Sequence, residues 1–328
     1  MLYINKNVLL DLGIRWDEQS EVIRGALRAM RSRDMAQPVK PYLRYGNMTN
    51  RIIAMPAFVG GETAMAGIKW IASFPGNAER GLQRAHSVTI LNEADTGVPL
   101  CIFNTALISG IRTAAVSSVV LEDWLRGLDP GARSGGAPLR VGMTGFGPIG
   151  QLHLQMVACI AVGYALDIRV YDPRGIDLRL VPAAIRDAVT VCDSWEEAYV
   201  DSDVFMACTV ASQPYINLPP KGGSLQMNIS LRDYVPALRA SVHMMIVDDW
   251  EEVCRENTDI EHMHRAGLLR KEEVLSLADV ICEGLLEKKA SADVVMFNPM
   301  GMAIFDIAIA SHYYHTAIRQ EKGVLLED

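Results

Sequence analysis

The hydrophobic pattern of the first third of the chain predicts antiparallel strands combined with helices. Apolar and polar residues alternate over residues 51–59 (RIIAMPAFV) and 66–73 (AGIKWIAS), which is typical of half-buried strands. Two further short runs, residues 87–91 and 99–103, flank a NEADTG turn and predict a hairpin. Residues 17–33 instead carry apolar positions at helical spacing, with acids first and arginines last, and predict an amphipathic helix.

The pattern changes after residue 140. Short β-branched runs now alternate with segments of helical length, and buried strands separated by helices indicate a parallel, doubly wound sheet. Residues 105–125 predict a long helix before this region, and residues 126–140 (RGLDPGARSGGAPLR) predict a surface linker because they lack apolar periodicity. The strongly apolar helix predicted over residues 301–323 is not required by the sheet. We therefore expect it to pack back on the first domain.

A glycine-rich turn opens the second region. Gly145, Gly147 and Gly150 stand between a predicted strand and a predicted helix, where they allow a tight turn, close approach of a pyrophosphate and free helix N–H groups. Asp172 ends the next strand, 22 residues after Gly150, where a carboxylate accepts hydrogen bonds from ribose hydroxyls. This pattern predicts an NAD-binding Rossmann domain. Arg174 weakens the preference for NAD over NADP, because an arginine there can bind a 2′-phosphate.

These patterns together predict the domain organisation. The fold class is α/β, with a Rossmann doubly wound parallel sheet and a discontinuous α+β N-terminal substrate domain. We predict that residues 1–125 and 299–328 form the substrate domain and that residues 126–298 form the NAD domain.

Composition excludes several classes of partner. The chain has 328 residues, of which 50% are hydrophobic, so it can bury one large or two ordinary cores. Its net charge of −8 argues against nucleic acid or an anionic membrane as the main partner. The N-terminal stretch lacks the features of a signal peptide, and the six scattered cysteines are typical of a reduced protein. We expect a cytoplasmic protein, and the spacing of histidines and cysteines predicts no metal site.

One lysine stands out because of its surroundings. Lys69 is the single cation in the apolar run 66–73, and lysine is rarely buried unless it is paired. Two interpretations are open from the residues alone. Either the ammonium reaches water from a strand, or it is a partly desolvated cation whose lowered pKa suits it to proton transfer.

Six stretches, in this order along the chain, resemble the ornithine cyclodeaminase/μ-crystallin family: GIKW, ASFPGN, ISGIRTAA, the glycine motif, NISLRDY and FNPMGMAIFDIAIA. The resemblance covers essentially the whole chain. It implies a homodimer built through the N-terminal domain, a Rossmann NAD domain and an active site in the cleft between them. Family members act on Cα–N bonds of amino acids, with hydride transfer to the nicotinamide and attack of water on the resulting imine.

The sequences of three stretches are most similar to those of one branch of the family: KWIASFPGN, RIIAMPAF and FNPMGMAIFDIAIA. That branch cleaves N-(2-amino-2-carboxyethyl)-L-glutamate oxidatively to 2-oxoglutarate and L-2,3-diaminopropionate, a precursor of siderophores and related peptides. The alternatives are an alanine or arginine dehydrogenase, an ornithine cyclodeaminase, or a crystallin-like binding protein without turnover.

The resemblance also implies roles for individual residues. Lys69 and Asp233 match the catalytic lysine and aspartate of the family. Arg112 and Arg44 match ligands of the substrate carboxylate, with Arg51 as the alternative to Arg44. The residues expected at the dinucleotide are Thr113, Gly145, Gly147, Pro148, Ile149, Gly150, Asp172, Thr209 and Ser230.

The sequence departs from the cyclodeaminases after the Pro-Gly turn. Arg84 occupies a position where cyclodeaminases carry a small hydroxyl residue, and a cation there would repel the second amine of ornithine. We expect Arg84 to bind one of the remote carboxylates of a tricarboxylate substrate instead.

Overall fold

The computed structural model describes residues 1–128 and 136–327, so residues 129–135 of the predicted linker lie outside the described residues. The chain divides into two compact units, Met1–Val116 with Gly301–Asp328, and Ser117–Met300. The division falls inside the long helix predicted over residues 105–125, because that helix runs without a break from one unit into the other.

The first unit is built on a mostly antiparallel sheet of eight strands. These strands are β1 (Leu2–Asn5), β2 (Met35–Ala36), β3 (Tyr42–Leu43), β4 (Arg51–Val59), β5 (Met65–Ser73), β6 (Ala85–Glu93), β7 (Pro99–Asn104) and β16 (Val324–Leu325). Their order is β16-β1-β7-β6-β5-β4-β2, with β3 also paired to β4 and with β1 parallel to β7. The helices of the unit are α1 (Lys6–Leu12), α2 (Trp16–Ser32), the start of α3 (Leu107–Arg126) and α9 (Ala303–Arg319).

The sheet of the first unit has one buried face. Side chains alternate along β4 between buried and half-buried positions, as expected for a strand with one face on a core. Helix α9 packs on β4, β5 and β6 and is itself apolar, with most of its side chains buried. The prediction that this C-terminal helix packs on the first unit is confirmed.

The second unit is a doubly wound α/β domain. Its strands are β8 (Leu139–Thr144), β9 (Leu166–Tyr171), β10 (Val189–Val191), β11 (Val204–Ala207), β12 (Leu225–Asn228), β13 (Met244–Val247), β14 (Val274–Ser276) and β15 (Val295–Asn298). All neighbouring strands are parallel, in the order β10-β9-β8-β11-β12-β15-β13-β14. The helices after the long α3 are α4 (Pro148–Ile160), α5 (Trp195–Tyr199), α6 (Trp250–Val253), α7 (Asp259–Arg265) and α8 (Leu277–Cys282).

The strand order of this second sheet identifies where it binds ligands. The chain winds outward from β8 in one direction through β9 and β10, and in the other direction from β11. Ligands of open α/β sheets bind at this reversal, outside the carboxyl ends of the strands. The glycine motif follows β8 at this point, which confirms the predicted α/β class with a Rossmann sheet. Within residues 1–128 and 136–327, no helix is long and apolar enough to cross a bilayer.

Candidate active site

Lys69 lies in the middle of β5 on the buried face of the first sheet. Its side chain is only 1% exposed, which excludes the interpretation in which the ammonium reaches water. The Nζ atom donates to Asp306 Oδ2 at 2.7 Å and to Ser109 Oγ at 3.3 Å. Thr89 lies directly opposite on β6, and its buried hydroxyl makes no hydrogen bond within the described residues. A polar site therefore exists inside an otherwise apolar face.

Asp306 joins two of the predicted site residues. It lies on α9, is fully buried, and accepts a second hydrogen bond from Arg112 Nε at 3.1 Å on its other oxygen. Lys40 lies close enough to Lys69 to lower its pKa, is 4% exposed, and donates from Nζ to the Gly301 carbonyl oxygen at 2.7 Å. Sequence reasoning missed both Asp306 and Lys40. The lone acid within the apolar stretch FDIAIA was the available signal for Asp306.

Gly301 holds the guanidinium of Arg112 close to the main chain. A Cβ atom on Gly301 would lie 2.4 Å from Nη1 and 2.5 Å from Nη2 of Arg112, and the residue has a φ of +84°. Only glycine meets both requirements without strain. Within the described residues, Asp306 occupies Nε, and no hydrogen bond uses Nη1 or Nη2. The two terminal nitrogens are the part of Arg112 that can bind a carboxylate ligand.

The cluster Lys40–Lys69–Arg112–Asp306 contains three cations and one carboxylate, all at least nine-tenths buried. Burial, together with the neighbouring Arg112 and Lys40, lowers the pKa of Lys69 to about 7, against the opposing effect of Asp306. Buried charge of one sign is costly unless a counter-ion is present. Lys69 and Arg112 share one carboxylate, so this group is suited to an anionic ligand, and the lowered pKa of Lys69 suits it to proton exchange near neutral pH.

Asp233 is the second predicted catalytic residue, and it follows β12 in the second unit. Its side chain is fully buried. Oδ1 accepts a short hydrogen bond from Thr209 Oγ1, whereas Oδ2 has no partner within the described residues. Burial, together with the nearby Asp259, raises the pKa of Asp233 to about 6, against the opposing effect of the hydrogen bond from Thr209. A buried carboxylate oxygen without a donor fits a base that awaits a substrate proton.

Asp259 holds the segment that carries Asp233. It begins α7 after Thr258, and its Oδ2 accepts from the backbone N–H groups of Asp233 and Tyr234 at 3.0 and 3.1 Å. Asn228, at the end of β12, donates its side-chain amide to the same oxygen at 3.0 Å. Sequence reasoning missed this residue, because the contact joins elements that are distant in the chain. Asp259 fixes the main chain on both sides of the Asp233 side chain.

The glycine motif forms a cradle for a dinucleotide. Gly145 has a φ of +87°, and a Cβ there would lie 2.5 Å from the Cys208 carbonyl oxygen, so only glycine allows β8 and β11 to meet so closely. A Cβ on Gly150 would likewise come too close to the Gly145 carbonyl oxygen. Helix α4 begins with Pro148 and follows Gly147, whose backbone is extended and which has no side chain to cap the helix. The first N–H groups of α4 are then available for an anion. Ile149 lies in this first turn.

Asp172 stands where predicted, at the end of β9, but it already has partners. Its carboxylate accepts from Arg174 Nε and Nη2 at 3.0 and 2.8 Å and from the Phe146 N–H at 2.8 Å. Burial would raise the pKa of Asp172, but these hydrogen bonds outweigh it and hold the pKa below its usual range. The side chain of Arg174 is 70% exposed. Asp172 is therefore ionised, and it shares its acceptor capacity between Arg174 and any ribose.

The other predicted ligands are spread over both units. Thr113, on α3, donates its hydroxyl to the Ser109 carbonyl at 2.7 Å. Ser230 has a buried hydroxyl without a partner among the described residues, and its N–H donates to Ala207 at the end of β11. Strand β11 lies next to β8, which leads into the glycine motif. A buried hydroxyl at this place that needs a partner is suited to bind a dinucleotide. Arg84 is exposed, immediately before β6.

Arg44 and Arg51 both lie on Tyr42, with guanidinium carbons 5.3 and 5.4 Å from the centre of its ring. Arg44 also donates from Nη1 to the Met48 carbonyl at 3.1 Å. The structure therefore brings the two alternatives for the second carboxylate ligand together.

A family model described as the ornithine cyclodeaminase/mu-crystallin family matches residues 4–321. The N-((2S)-2-amino-2-carboxyethyl)-L-glutamate dehydrogenase of Staphylococcus aureus is 32% identical, over 99% of this chain and 98% of its own length. The alanine dehydrogenase of Archaeoglobus fulgidus is 24% identical, over 94% of this chain and 93% of its own.

Solved structures share the fold of the chain. The Delta(1)-pyrroline-2-carboxylate reductase of Thermococcus litoralis, in complex with NADH and L-proline, has a TM-score of 0.86 at 20% identity and covers 99% of this chain and 100% of its own. An archaeal alanine dehydrogenase dimer with bound NAD has a TM-score of 0.82 at 22% identity, covering 100% of this chain and 99% of its own.

Proposed function

Because the chain belongs to the ornithine cyclodeaminase/μ-crystallin family, we propose that it cleaves N-(2-amino-2-carboxyethyl)-L-glutamate oxidatively to 2-oxoglutarate and L-2,3-diaminopropionate. It is an NAD-dependent oxidoreductase, as its relatives are dehydrogenases and reductases that act on C–N bonds. The Staphylococcus aureus relative, at 32% identity over nearly the whole chain, supports this substrate.

The observation that carries the proposal is the excess of buried positive charge around Lys69. Lys69 and Arg112 share the carboxylate of Asp306, so the binding of an anion would restore balance to this group. The carboxylate next to the reacting Cα of the substrate is such an anion. Nη1 and Nη2 of Arg112 would hold it in the bidentate geometry that arginine prefers.

The reaction begins when the Cα–H bond of the glutamate part breaks. NAD, when bound, accepts the hydride from that carbon. Asp233 takes the proton of the secondary amine at Oδ2, the oxygen without a partner among the described residues, which leaves a C=N bond in the substrate. Water then adds to the imine carbon, with Lys69 as the proton donor or acceptor, and the C–N bond breaks. The balance is substrate, NAD⁺ and water giving 2-oxoglutarate, diaminopropionate, NADH and a proton.

The second unit supplies the residues for the cofactor. The cradle of Gly145 and Gly150, the N-terminus of α4 and the buried hydroxyl of Ser230 would hold the dinucleotide, with Asp172 at the ribose. Thr209 would lie near the nicotinamide while it positions Asp233.

A turnover assay tests the proposal. The protein with NAD and N-(2-amino-2-carboxyethyl)-L-glutamate should form NADH, followed at 340 nm, with equal amounts of 2-oxoglutarate and diaminopropionate. L-Alanine, L-arginine and L-ornithine serve as comparison substrates. Faster NADH formation on one of the simple amino acids would contradict the proposed substrate. Conversion of ornithine without net NADH would identify a cyclodeaminase, and binding without turnover of any of these compounds would indicate a crystallin-like protein.

We also propose that the protein works as a homodimer in the cytoplasm. Trp70 follows Lys69 in β5 and so points from the opposite face of the sheet, where it is 45% exposed. Apolar side chains share this face and are half-buried: Pro56, Phe58, Ile68, Val88, Ile90 and Ile102. A broad apolar sheet face is suited to a second copy of the chain, and the related archaeal alanine dehydrogenase is a dimer. Trp70→Glu should convert a dimer to a monomer in light scattering, and a monomeric wild type would contradict this assembly.

A further inference from the structure

Tyr215 lies in the connection between β11 and β12 and contacts Asp233 twice. Its backbone N–H donates to the Asp233 carbonyl oxygen at 2.9 Å, and the N–H of Ile216 donates to the same oxygen at 2.8 Å. Burial raises the pKa of Asp233, whereas hydrogen bonds from the hydroxyls of Thr209 and Tyr215 lower it. Tyr215 therefore contacts Asp233 through both its main chain and its side chain.

The same tyrosine hydroxyl reaches the strand that leads into the glycine motif. It donates to Thr144 Oγ1 at 2.8 Å, and Thr144 is the last residue of β8, directly before Gly145. Thr144 is buried, so this end of the hydrogen bond is shielded from water. Both hydroxyls can donate as well as accept. The phenol can therefore donate to an ionised Asp233 while it accepts from Thr144, and it can donate to Thr144 once Asp233 is protonated.

The ring of Tyr215 is held by an aromatic neighbour. Trp195, at the start of α5, packs against it edge to face, with ring centroids 5.4 Å apart and an interplanar angle of 74°. Tyr199, four residues later on α5, packs on the same tryptophan with ring centroids 5.8 Å apart. The buried hydroxyl of Tyr199 has no hydrogen-bond partner in residues 1–128 and 136–327. The two tyrosines share an aromatic neighbour, but their hydroxyls differ in what they bind.

We propose that Tyr215 is a positioning residue for Asp233, and that its hydroxyl joins the carboxyl group of this base to the strand end that carries the glycine motif. This rests on the proposed function, in which Asp233 takes the amine proton as hydride leaves the adjacent carbon. Because the proton and the hydride leave neighbouring atoms, the base and the dinucleotide cradle must keep a fixed spacing. The hydrogen bonds from Asp233 through Tyr215 to Thr144 maintain that spacing within the second unit.

The titratable groups that face Asp233 come from α7, from the residue after β11 and from the two segments that carry Asp233 and Tyr215: Asp259, Cys208, Tyr234 and Tyr215. Burial raises the pKa of Cys208 and of Tyr234, so both stay neutral near pH 6. Asp259 raises the pKa of Asp233, whereas the Tyr215 hydroxyl lowers it. Loss of that hydroxyl should therefore raise the pKa of Asp233.

Tyr215→Phe tests the proposal, because it removes the hydroxyl and keeps the ring on Trp195. The pKa of Asp233 is measured without substrate, by ¹³C NMR of the whole protein labelled at the aspartate side-chain carboxyls. The signal of Asp233 is the one that Asp233→Asn lacks. We expect a higher pKa in Tyr215→Phe than in wild type.

Turnover of N-(2-amino-2-carboxyethyl)-L-glutamate provides the second measurement. In Tyr215→Phe, kcat should fall about tenfold, the scale of one hydrogen bond to a charged group. KM should stay within about twofold of wild type, since Tyr215 is not assigned to the substrate. The acid limb of the pH profile should move to higher pH, as the pKa of Asp233 does.

Two positions serve as controls. Tyr199→Phe also removes a buried phenol hydroxyl beside Trp195, and it should change neither the pKa of Asp233 nor kcat. Thr144→Val removes the far end of the hydrogen-bonded link and should lower kcat by less than Tyr215→Phe does. Thr144→Ser keeps a hydroxyl there and should recover this loss.

The outcomes separate this proposal from the proposed reaction. An unchanged pKa of Asp233 in Tyr215→Phe, or an equal rise in Tyr199→Phe, would overturn the positioning role of Tyr215, even if wild type turns over the tricarboxylate. An unchanged kcat in Thr144→Val would overturn the link to the glycine motif. If wild type does not turn over the tricarboxylate but the pKa rises in Tyr215→Phe alone, the reaction is wrong and the positioning of Asp233 by Tyr215 stands.

Discussion

The two charged clusters of this protein are built with opposite signs. Around Lys69, two cations share the carboxylate of Asp306 and Lys40 lies nearby, whereas Asp233 lies beside a second carboxylate, Asp259. No ion pair joins Asp233 or Asp259 to a cation within the described part of the chain. In both clusters, burial and like charge favour the neutral form of the central group, which brings the pKa of Lys69 to about 7 and that of Asp233 to about 6.

The pair of Asp172 and Arg174 shows the other possibility. Here one carboxylate meets one guanidinium, and the pKa of Asp172 falls below its usual range although burial opposes this. Hydrogen bonds from a cation therefore keep Asp172 ionised, whereas burial, aided by like charge, brings the pKa values of Lys69 and Asp233 close to neutral pH. In the proposed function, this difference separates a residue that binds the cofactor, Asp172, from the two residues that exchange protons, Lys69 and Asp233.

The largest expected effect comes from removing the two central groups. Lys69→Met and Asp233→Asn should each lower kcat by about 100-fold or more, because a positioned acid or base is lost in each case. Steady-state NADH formation measures this. NADH affinity, measured by fluorescence, should stay within about twofold of wild type, since neither residue is assigned to the dinucleotide. If a variant keeps more than about a third of wild-type kcat, the substituted residue is not an acid or base of the reaction.

A smaller effect is expected from the glycine that supports Arg112. Gly301→Ala places a methyl group against the guanidinium, so the carboxylate-binding nitrogens must move. We expect KM to rise about tenfold, the scale of one hydrogen bond to a charged group. Gly97→Ala is the matched control, because Gly97 has a φ of +75° but no neighbour within 4 Å of its added Cβ. Equal changes in KM for both variants would show that backbone strain, and not Arg112, is responsible.

The opposite-charge pair can be tested through cofactor choice. Wild type should prefer NAD over NADP by about tenfold or more, because the ionised Asp172 repels a 2′-phosphate. Asp172→Ala should narrow this preference and leave Arg174 able to bind the phosphate. The ratio of the kcat/KM values for NAD and NADP measures this preference in wild type and in the variant. Equal use of both cofactors by wild type would mean that the exposed Arg174 already overrides Asp172.

The like-charge pair is tested by the pH profile, where the smallest change is expected. The active form of Asp233 is the carboxylate, so kcat/KM should fall as pH drops through about 6. Asp259→Asn removes a negative neighbour and should move this acid limb to lower pH. Thr209→Val removes a donor to the carboxylate and should move it to higher pH. Shifts in the same direction would show that the limb does not belong to Asp233.

Sequence reasoning went furthest where local pattern determines structure. The glycine motif, the strand-end Asp172 and the unusual charge of Lys69 could all be read from a few neighbouring residues. Asp306 and Asp259 could not, because their role depends on contacts made across the fold, 237 residues away in the case of Asp306 and Lys69. The proximity of Arg44 and Arg51 likewise depends on the register of β3 on β4. A two-residue strand gives too little pattern to fix that register in advance.

The pairing of Lys69 with Asp306 also has a consequence for biosynthesis. A ribosome makes Lys69 early and Asp306 only after the whole nucleotide-binding unit has emerged, since that unit occupies Ser117–Met300. The nascent first sheet therefore carries Lys69 before its partner Asp306 has been made, and its buried face lacks α9. The nucleotide-binding unit is continuous in the chain and can complete its sheet first. Because of this order of translation, the lysine site can be completed only after the whole cofactor domain has been synthesised and can fold.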